Sequence, residues 1–173
     1  MQNYIVIFDI PIKIEEKIRS AYEQTFGKKL PISNLHLTLL PPFSFVTNSG
    51  LSILKENLYK LESITILASL SSPNLFRNPG ETILYLPVNP EKEITKIHDK
   101  LESISKNLVK FETSLYHTDE VPPFLAHISL DYNFTFNSKT LGKLEENLID
   151  INFKLVKPII MAQSSSGRWK ETI

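Results

Sequence analysis

Two four-residue stretches constrain this chain more than anything else in it: His36-Leu37-Thr38-Leu39 and His127-Ile128-Ser129-Leu130. Side chains alternate along a strand, so each stretch, read as a strand, puts an imidazole and a hydroxyl on one face. Leu37 and Leu39, and Ile128 and Leu130, then point to the opposite face and into a core. One such tetrad is a weak signal; two in matched surroundings are not.

The surroundings repeat as well. The motif histidines are 91 residues apart, and the same shift carries Pro31 onto Pro122, Leu39 onto Leu130, Phe43 onto Phe134 and Phe45 onto Phe136. After a one-residue slip, Leu51, Leu54, Asn57 and Leu58 fall on Leu141, Leu144, Asn147 and Leu148. Such a repeat points to two similar lobes related by an approximate twofold, which would bring His36/Thr38 and His127/Ser129 to one point across a shared cleft. Residues 1–173 are expected to form one domain of two such lobes.

The local pattern supplies the elements. Strands are expected over 4–10, 35–40, 64–70, 82–88 and 125–132, with Pro41-Pro42 closing the second and Asn78-Pro79-Gly80 turning into the fourth. Helical spacing runs over 15–26, 51–61, 94–108 and 141–148, with Gly27 a stop for the first. His117 to Pro123 reads as a polar loop. Residues 153–162 and 168–173 read as a final hairpin across Ser164-Ser165-Ser166-Gly167.

Composition narrows the function. The chain has 173 residues, 42% of them hydrophobic, enough for a packed core. Lys and Arg number 19, as do Asp and Glu, so the net charge is zero and any phosphate must be held locally rather than by long-range attraction. Cysteine is absent, which removes disulfides, thiolate metal sites and thiol nucleophiles. The N-terminus lacks a signal-peptide pattern. No apolar run approaches the roughly 18 residues of a membrane span. The expectation is a soluble, cytoplasmic protein, monomeric and without a membrane partner.

Two histidines facing across a cleft suit general acid–base catalysis, because an imidazole titrates near neutral pH and one ring can be charged while the other is not. An in-line phosphoryl displacement needs both states. The neutral ring takes a proton from the attacking water or hydroxyl, and the charged ring protonates the leaving oxygen on the opposite side of phosphorus. Thr38 and Ser129 could donate hydrogen bonds to the nonbridging oxygens. No cofactor or metal is called for: no acidic cluster lies at ligand spacing, Asp131 is expected to point away from the His127 face, and a His/His pair would lack a third ligand.

At this point the chain resembles the 2H phosphoesterase superfamily, whose signature is a pair of His-x-[Ser/Thr]-apolar motifs about half a chain apart, and which includes the RNA 2′,3′-cyclic phosphodiesterases, or 2′-5′ RNA ligase-like proteins. Element order, Pro-Phe after the first motif and the closing hairpin extend the likeness over essentially the whole chain. The resemblance implies an α+β fold, a bilobal, duplicated arrangement with antiparallel sheets around a central cleft and helices outside. It also implies that His36 is the proton donor, His127 the acceptor, and Thr38 and Ser129 the phosphate-contacting hydroxyls. It implies hydrolysis of a 2′,3′-cyclic phosphate, on an RNA end or a nucleotide, to a 2′-phosphate. Cleavage of 2′-5′ oligonucleotides or cyclic dinucleotides, and an inactive nucleotide- or RNA-binding module, are the alternatives.

One departure stands out. Many members place Arg or Lys directly after a motif, where this chain has Leu40 and Asp131. Arg168, Trp169 and Lys170 on the last strand, with Phe43, are therefore the candidate substrate-binding residues, and Lys13 and Arg77 are further candidate cations. The Phe-x-Phe pairs 43/45 and 134/136 are otherwise expected to be core. His98 is expected on a solvated helix flank, and His117 is a candidate for the cleft mouth.

Overall fold

The computed structural model describes residues 2–61, 63–78, 80–112, 123–135 and 138–172. The first half runs β1 (Tyr4–Asp9), α1 (Ile12–Phe26), β2 (His36–Phe45), α2 (Gly50–Tyr59), β3 (Thr65–Leu70) and β4 (Asn74–Asn78). The second runs β5 (Glu81–Asn89), α3 (Glu91–Ser105), β6 (Val109–Phe111), β7 (His127–Asp131), α4 (Ser138–Asn147) and β8 (Asn152–Val156), and β9 (Ile159–Gln163) and β10 (Trp169–Glu171) close the chain.

The strands join antiparallel in the order β10-β9-β1-β2-β7-β5-β3-β8, with β4 also on β5 and β6 on β2. The sheet curls into a half-barrel, giving the α+β class. The two motif strands, β2 and β7, are central neighbours.

The helices form because their apolar residues recur at helical spacing and the sheet gives that stripe something to cover. Ile18, Ala21 and Tyr22 of α1 and Ile94, Ile97 and Leu101 of α3 are buried. Gly27 ends α1 in the left-handed conformation at φ 66°, its N–H donating to the Glu23 carbonyl, a backbone setting that suits a residue without Cβ. Burial follows the repeat: Leu54 and Leu144 are fully enclosed, and Leu58 and Leu148 nearly so. Helix pairing follows it too, α1 lying on α4 and α2 on α3. The buried side chains form one continuous cluster that draws on all four helices.

Four expectations are corrected. Pro41-Pro42 does not end β2, which continues to Phe45. The β1 partners jump from Leu40↔Val6 to Phe43↔Tyr4, so both prolines fall where β2 carries an extra residue and the ladder needs no N–H from them. Residues 153–162 are not one strand. Lys157-Pro158 divides them into β8 and β9, which pair with β3 and β1 respectively. β4 and the three-residue β6 were not anticipated. The helix expected over 94–108 is α3, which starts and ends three residues earlier. His117, Pro122 and Phe136 lie outside the described residues. No helix among the described residues is long and apolar enough to cross a membrane.

Candidate active site

Leu37 pairs with Ile128 across the β2–β7 ladder, and both side chains are fully buried. In an antiparallel ladder that single pairing sets Thr38 beside His127 and His36 beside Ser129. The four polar residues therefore share the face opposite the core, all half-buried, in a two-by-two array. Opposite pairs in such an array lie about 4.5–5.5 Å apart at Cβ, and the two histidines, on a diagonal, roughly 7–8 Å. Burying Leu37 and Ile128 stabilises by about 1.5–3 kcal/mol each, and a one-residue register slip would turn them out to the open face.

Both rings are anchored in the same way. His36 Nδ1 lies 3.0 Å from the Asn34 carbonyl, and His127 Nδ1 lies 2.7 Å from the Leu125 carbonyl, two residues upstream in each case. A carbonyl can only accept, so Nδ1 carries the proton in both rings and Nε2 is left to exchange one. The loop carrying Asn34 is itself held to α1: Arg19 donates to the Ser33 carbonyl and pairs with Glu15.

The two rings differ in their surroundings. Burial pushes the pKa of each below the ordinary histidine value. At His36 the Asn34 carbonyl and the negative charges of Asp9 and Glu15 oppose that shift. Asp9 is its direct partner across the β1–β2 ladder. The Asp9 carboxyl is raised by its own burial and by Glu15. Among the described residues no carboxylate acts on His127. Its hydrogen bond to Leu125 opposes the fall, whereas the His36 charge adds to it. An aromatic wall stands beside it: Phe76 and Tyr85 stack at 4.0 Å and meet the imidazole edge-on at 5.0 and 5.4 Å. Burial thus opposes charge on both rings, and at His36 the carboxylates of Asp9 and Glu15 offset part of that opposition.

A cavity of about 570 Å³ opens on the His36 side, lined among others by Asp9, His36, Tyr132, Arg168 and Trp169. Arg168 and Trp169 thus reach the same space as His36. Lys170 does not: alternation along β10 turns it to the other face, opposite Ala162 rather than Met161, and it is exposed. Phe43 is corrected as well. It is fully buried against Tyr4, Phe45 and Phe111, with no surface to offer a ligand. Lys13 is exposed in the first turn of α1. Arg77 follows Phe76 on β4, so alternation points it away from the His127 wall.

Leu40 and Asp131 share one structural fate. Thr38 and Leu40 pair with the consecutive residues Ile7 and Val6, and Ser129 and Asp131 with the consecutive residues Tyr85 and Leu84. Each motif strand therefore carries an extra residue after its hydroxyl, and the bulge turns the next position into the core. Leu40 is 0% exposed and Asp131 5%. Alternation alone would have put Asp131 on the His127 face, so the expectation that it points away is met through the bulge. Burial opposes ionisation of Asp131, but Tyr22 Oη at 2.7 Å, Lys28 Nζ at 3.0 Å and the Asn133 N–H outweigh it and hold its pKa below the usual carboxylate value.

His98 is not a solvated flank residue. Its ring stacks on Phe124 at 4.0 Å and its Nδ1 sits 2.7 Å from the Leu39 carbonyl. With Asp99 and Glu102 it offers three ligand atoms within 4.8 Å of one another, an acidic grouping on α3 that sequence spacing did not reveal. None of the three is a motif residue. Asp9, Phe76, Tyr85 and Tyr132 were not singled out from the sequence. Asp9 was within reach, because Ile5, Ile7 and Asp9 alternate on one face of β1. The aromatic wall depends on β4, whose Ser-Ser-Pro-Asn start reads as loop.

No protein-family model matches the chain, and no curated protein does. Solved structures do match. E. coli LigT in its apo form superposes at a TM-score of 0.65 with 18% identity, over 99% of this chain and 93% of that one. TT0787 of Thermus thermophilus superposes at 0.67 with 13% identity, over 100% and 96%. Usb1 of Kluyveromyces marxianus superposes at 0.52 with 11% identity, over 98% and 95%. LigT has also been solved in complex with 3′-AMP, NADP+ and ATP. At 11–18% identity the likeness is one of fold, and the α+β fold that the resemblance implies is the fold found.

Proposed function

We propose that this chain is a metal-independent phosphoesterase of the 2H type, one domain of two pseudo-symmetric halves, that hydrolyses a 2′,3′-cyclic phosphate on a nucleotide or RNA end to a 2′-phosphate. The observation that carries the proposal is the Leu37↔Ile128 register, which sets two Nδ1-anchored histidines and two hydroxyls on one open face. The shared fold supports the reaction class, and the nucleotides bound by LigT support the substrate class.

In the proposed reaction neutral His127 takes a proton from water through Nε2 as the oxygen attacks phosphorus. The bond from phosphorus to the ribose O3′ breaks, and charged His36 gives its Nε2 proton to that oxygen. The product carries a 2′-phosphate and a free 3′-hydroxyl, and solvent exchange restores the two rings. Thr38 and Ser129 donate to the nonbridging oxygens and stabilise the charge that builds there. The two imidazoles supply both proton transfers, so the chemistry does not require a metal. Arg168 and Trp169 hold the substrate beyond His36.

A turnover screen over 2′,3′-cyclic nucleotides, 2′-5′ dinucleotides and cyclic dinucleotides tests this, with a His36→Ala/His127→Ala double variant as the blank. Turnover of the first group alone supports the proposal. Turnover confined to the second or third group would reassign the substrate, and binding without turnover of any would make the chain a nucleotide-binding module.

A further inference from the structure

We infer that the cavity beside His36 is a nucleoside subsite in which Trp169 supplies the stacking surface for the base and Arg168 takes the phosphate on the 5′ side. The inference rests on the reaction proposed above and names where its substrate lies. In-line displacement puts the attacking water and the leaving oxygen on opposite sides of phosphorus. The leaving O3′ lies on the side of its proton donor, His36. In a cyclic phosphate O2′ and O3′ belong to one ribose, so the sugar and base are carried to the His36 side with it.

That side holds the cavity. Its volume, about 570 Å³, lies within the roughly 300–1,000 Å³ of small-molecule sites. Its apolar floor comes from Ile5 and Ile7 of β1 and Met161 of β9, and Trp169 of β10 faces it from three strands beyond β2. At strand spacing that is about 14 Å along the sheet, closed up by the curl. An indole offers any base a π-face, which makes binding tolerant of base identity. Arg168 also lines the cavity and is solvent-exposed, where a guanidinium can pair with a phosphate. The 5′ neighbour of a terminal nucleotide leaves through such a phosphate. The site is therefore built for an RNA 3′ end in preference to a lone cyclic nucleotide.

The test compares kcat/KM for three substrates: ethylene cyclic phosphate, which has no base; adenosine 2′,3′-cyclic phosphate; and a dinucleotide ending in the same cyclic phosphate. Trp169→Ala should lower kcat/KM for both nucleoside substrates about 10- to 100-fold more than for ethylene cyclic phosphate, with Trp169→Phe restoring most of the loss. Arg168→Ala should erase most of the advantage of the dinucleotide over the mononucleotide. Circular dichroism of each variant separates these effects from unfolding. Equal losses on all three substrates in folded Trp169→Ala, or no loss on any, would overturn the subsite and leave the catalytic reading standing. Absence of turnover of every cyclic phosphate by the wild type would overturn both.

Discussion

Asp9 lies directly across the β1–β2 ladder from His36, and among the described residues no carboxylate takes the corresponding place beside His127. Two imidazoles with the same backbone anchor are thereby made unequal. Asp9 and Glu15 support charge on one, and the Phe76–Tyr85 wall surrounds the other with apolar surface. Removing the Asp9 charge should therefore act on His36, the proposed acid, alone. Asp9→Asn should move the alkaline limb of the kcat/KM profile to lower pH and leave the acid limb nearly in place, and Asp9→Glu should move the alkaline limb back. A pH–rate profile of the three proteins checks this.

The wild-type profile itself should be bell-shaped, because one ring must be charged and the other neutral. Burial lowers both histidine pKa values in the free protein. The optimum of kcat/KM should accordingly fall on the acid side of about 6.5, the unperturbed histidine value. An optimum well above that would contradict the account of the two environments.

Stability should fall in two stages on acidification. His36 and His127 have folded pKa values below their unfolded ones, so their contribution is fully present above about 6.5 and is lost as pH falls through the folded values. Asp131 is likewise depressed by its bonds from Tyr22, Lys28 and Asn133, so its contribution is present above about 3.9 and lost below. Urea unfolding across pH 3–8 measures both stages, and a His36→Gln/His127→Gln variant should show only the lower one.

The repeat predicts matched costs in the two halves. Leu54→Ala and Leu144→Ala each empty a fully enclosed site on equivalent helices. Each should lower unfolding free energy by about 2–5 kcal/mol, measured by denaturant titration. Asp131→Ala and Leu40→Ala should differ in kind: the first strands the Tyr22 hydroxyl at about 1–3 kcal/mol, and the second leaves a cavity.

What could be read from the chain and what could not divide along a physical line. The motif strands and the helices were legible because periods of two and 3.6 are local and Leu37, Ile128, Leu54 and Leu144 obey them. The expected convergence of the tetrads was legible because the repeat is internal. β2 running through Pro41-Pro42 was hidden because a bulge depends on the partner strand, β1. The same holds for Leu40 and Asp131, whose inward turn comes from an extra residue in each motif strand. Phe43 was offered as a ligand contact on residue type, whereas its burial is set by Tyr4 and Phe111, far away in sequence. The inequality of the histidines was invisible for the same reason: Asp9, Phe76 and Tyr85 come from three other strands.

His36 and His127 are proposed to open a 2′,3′-cyclic phosphate together. Phosphorus NMR of adenosine 2′,3′-cyclic phosphate incubated with the protein tests it most directly. The expected product is adenosine 2′-phosphate, formed by the wild type with chelator present, and the expected rates are on the order of 10²–10⁴-fold lower for His36→Ala or His127→Ala in folded protein. A 3′-phosphate product, or rates unchanged in folded single-histidine variants, would contradict it.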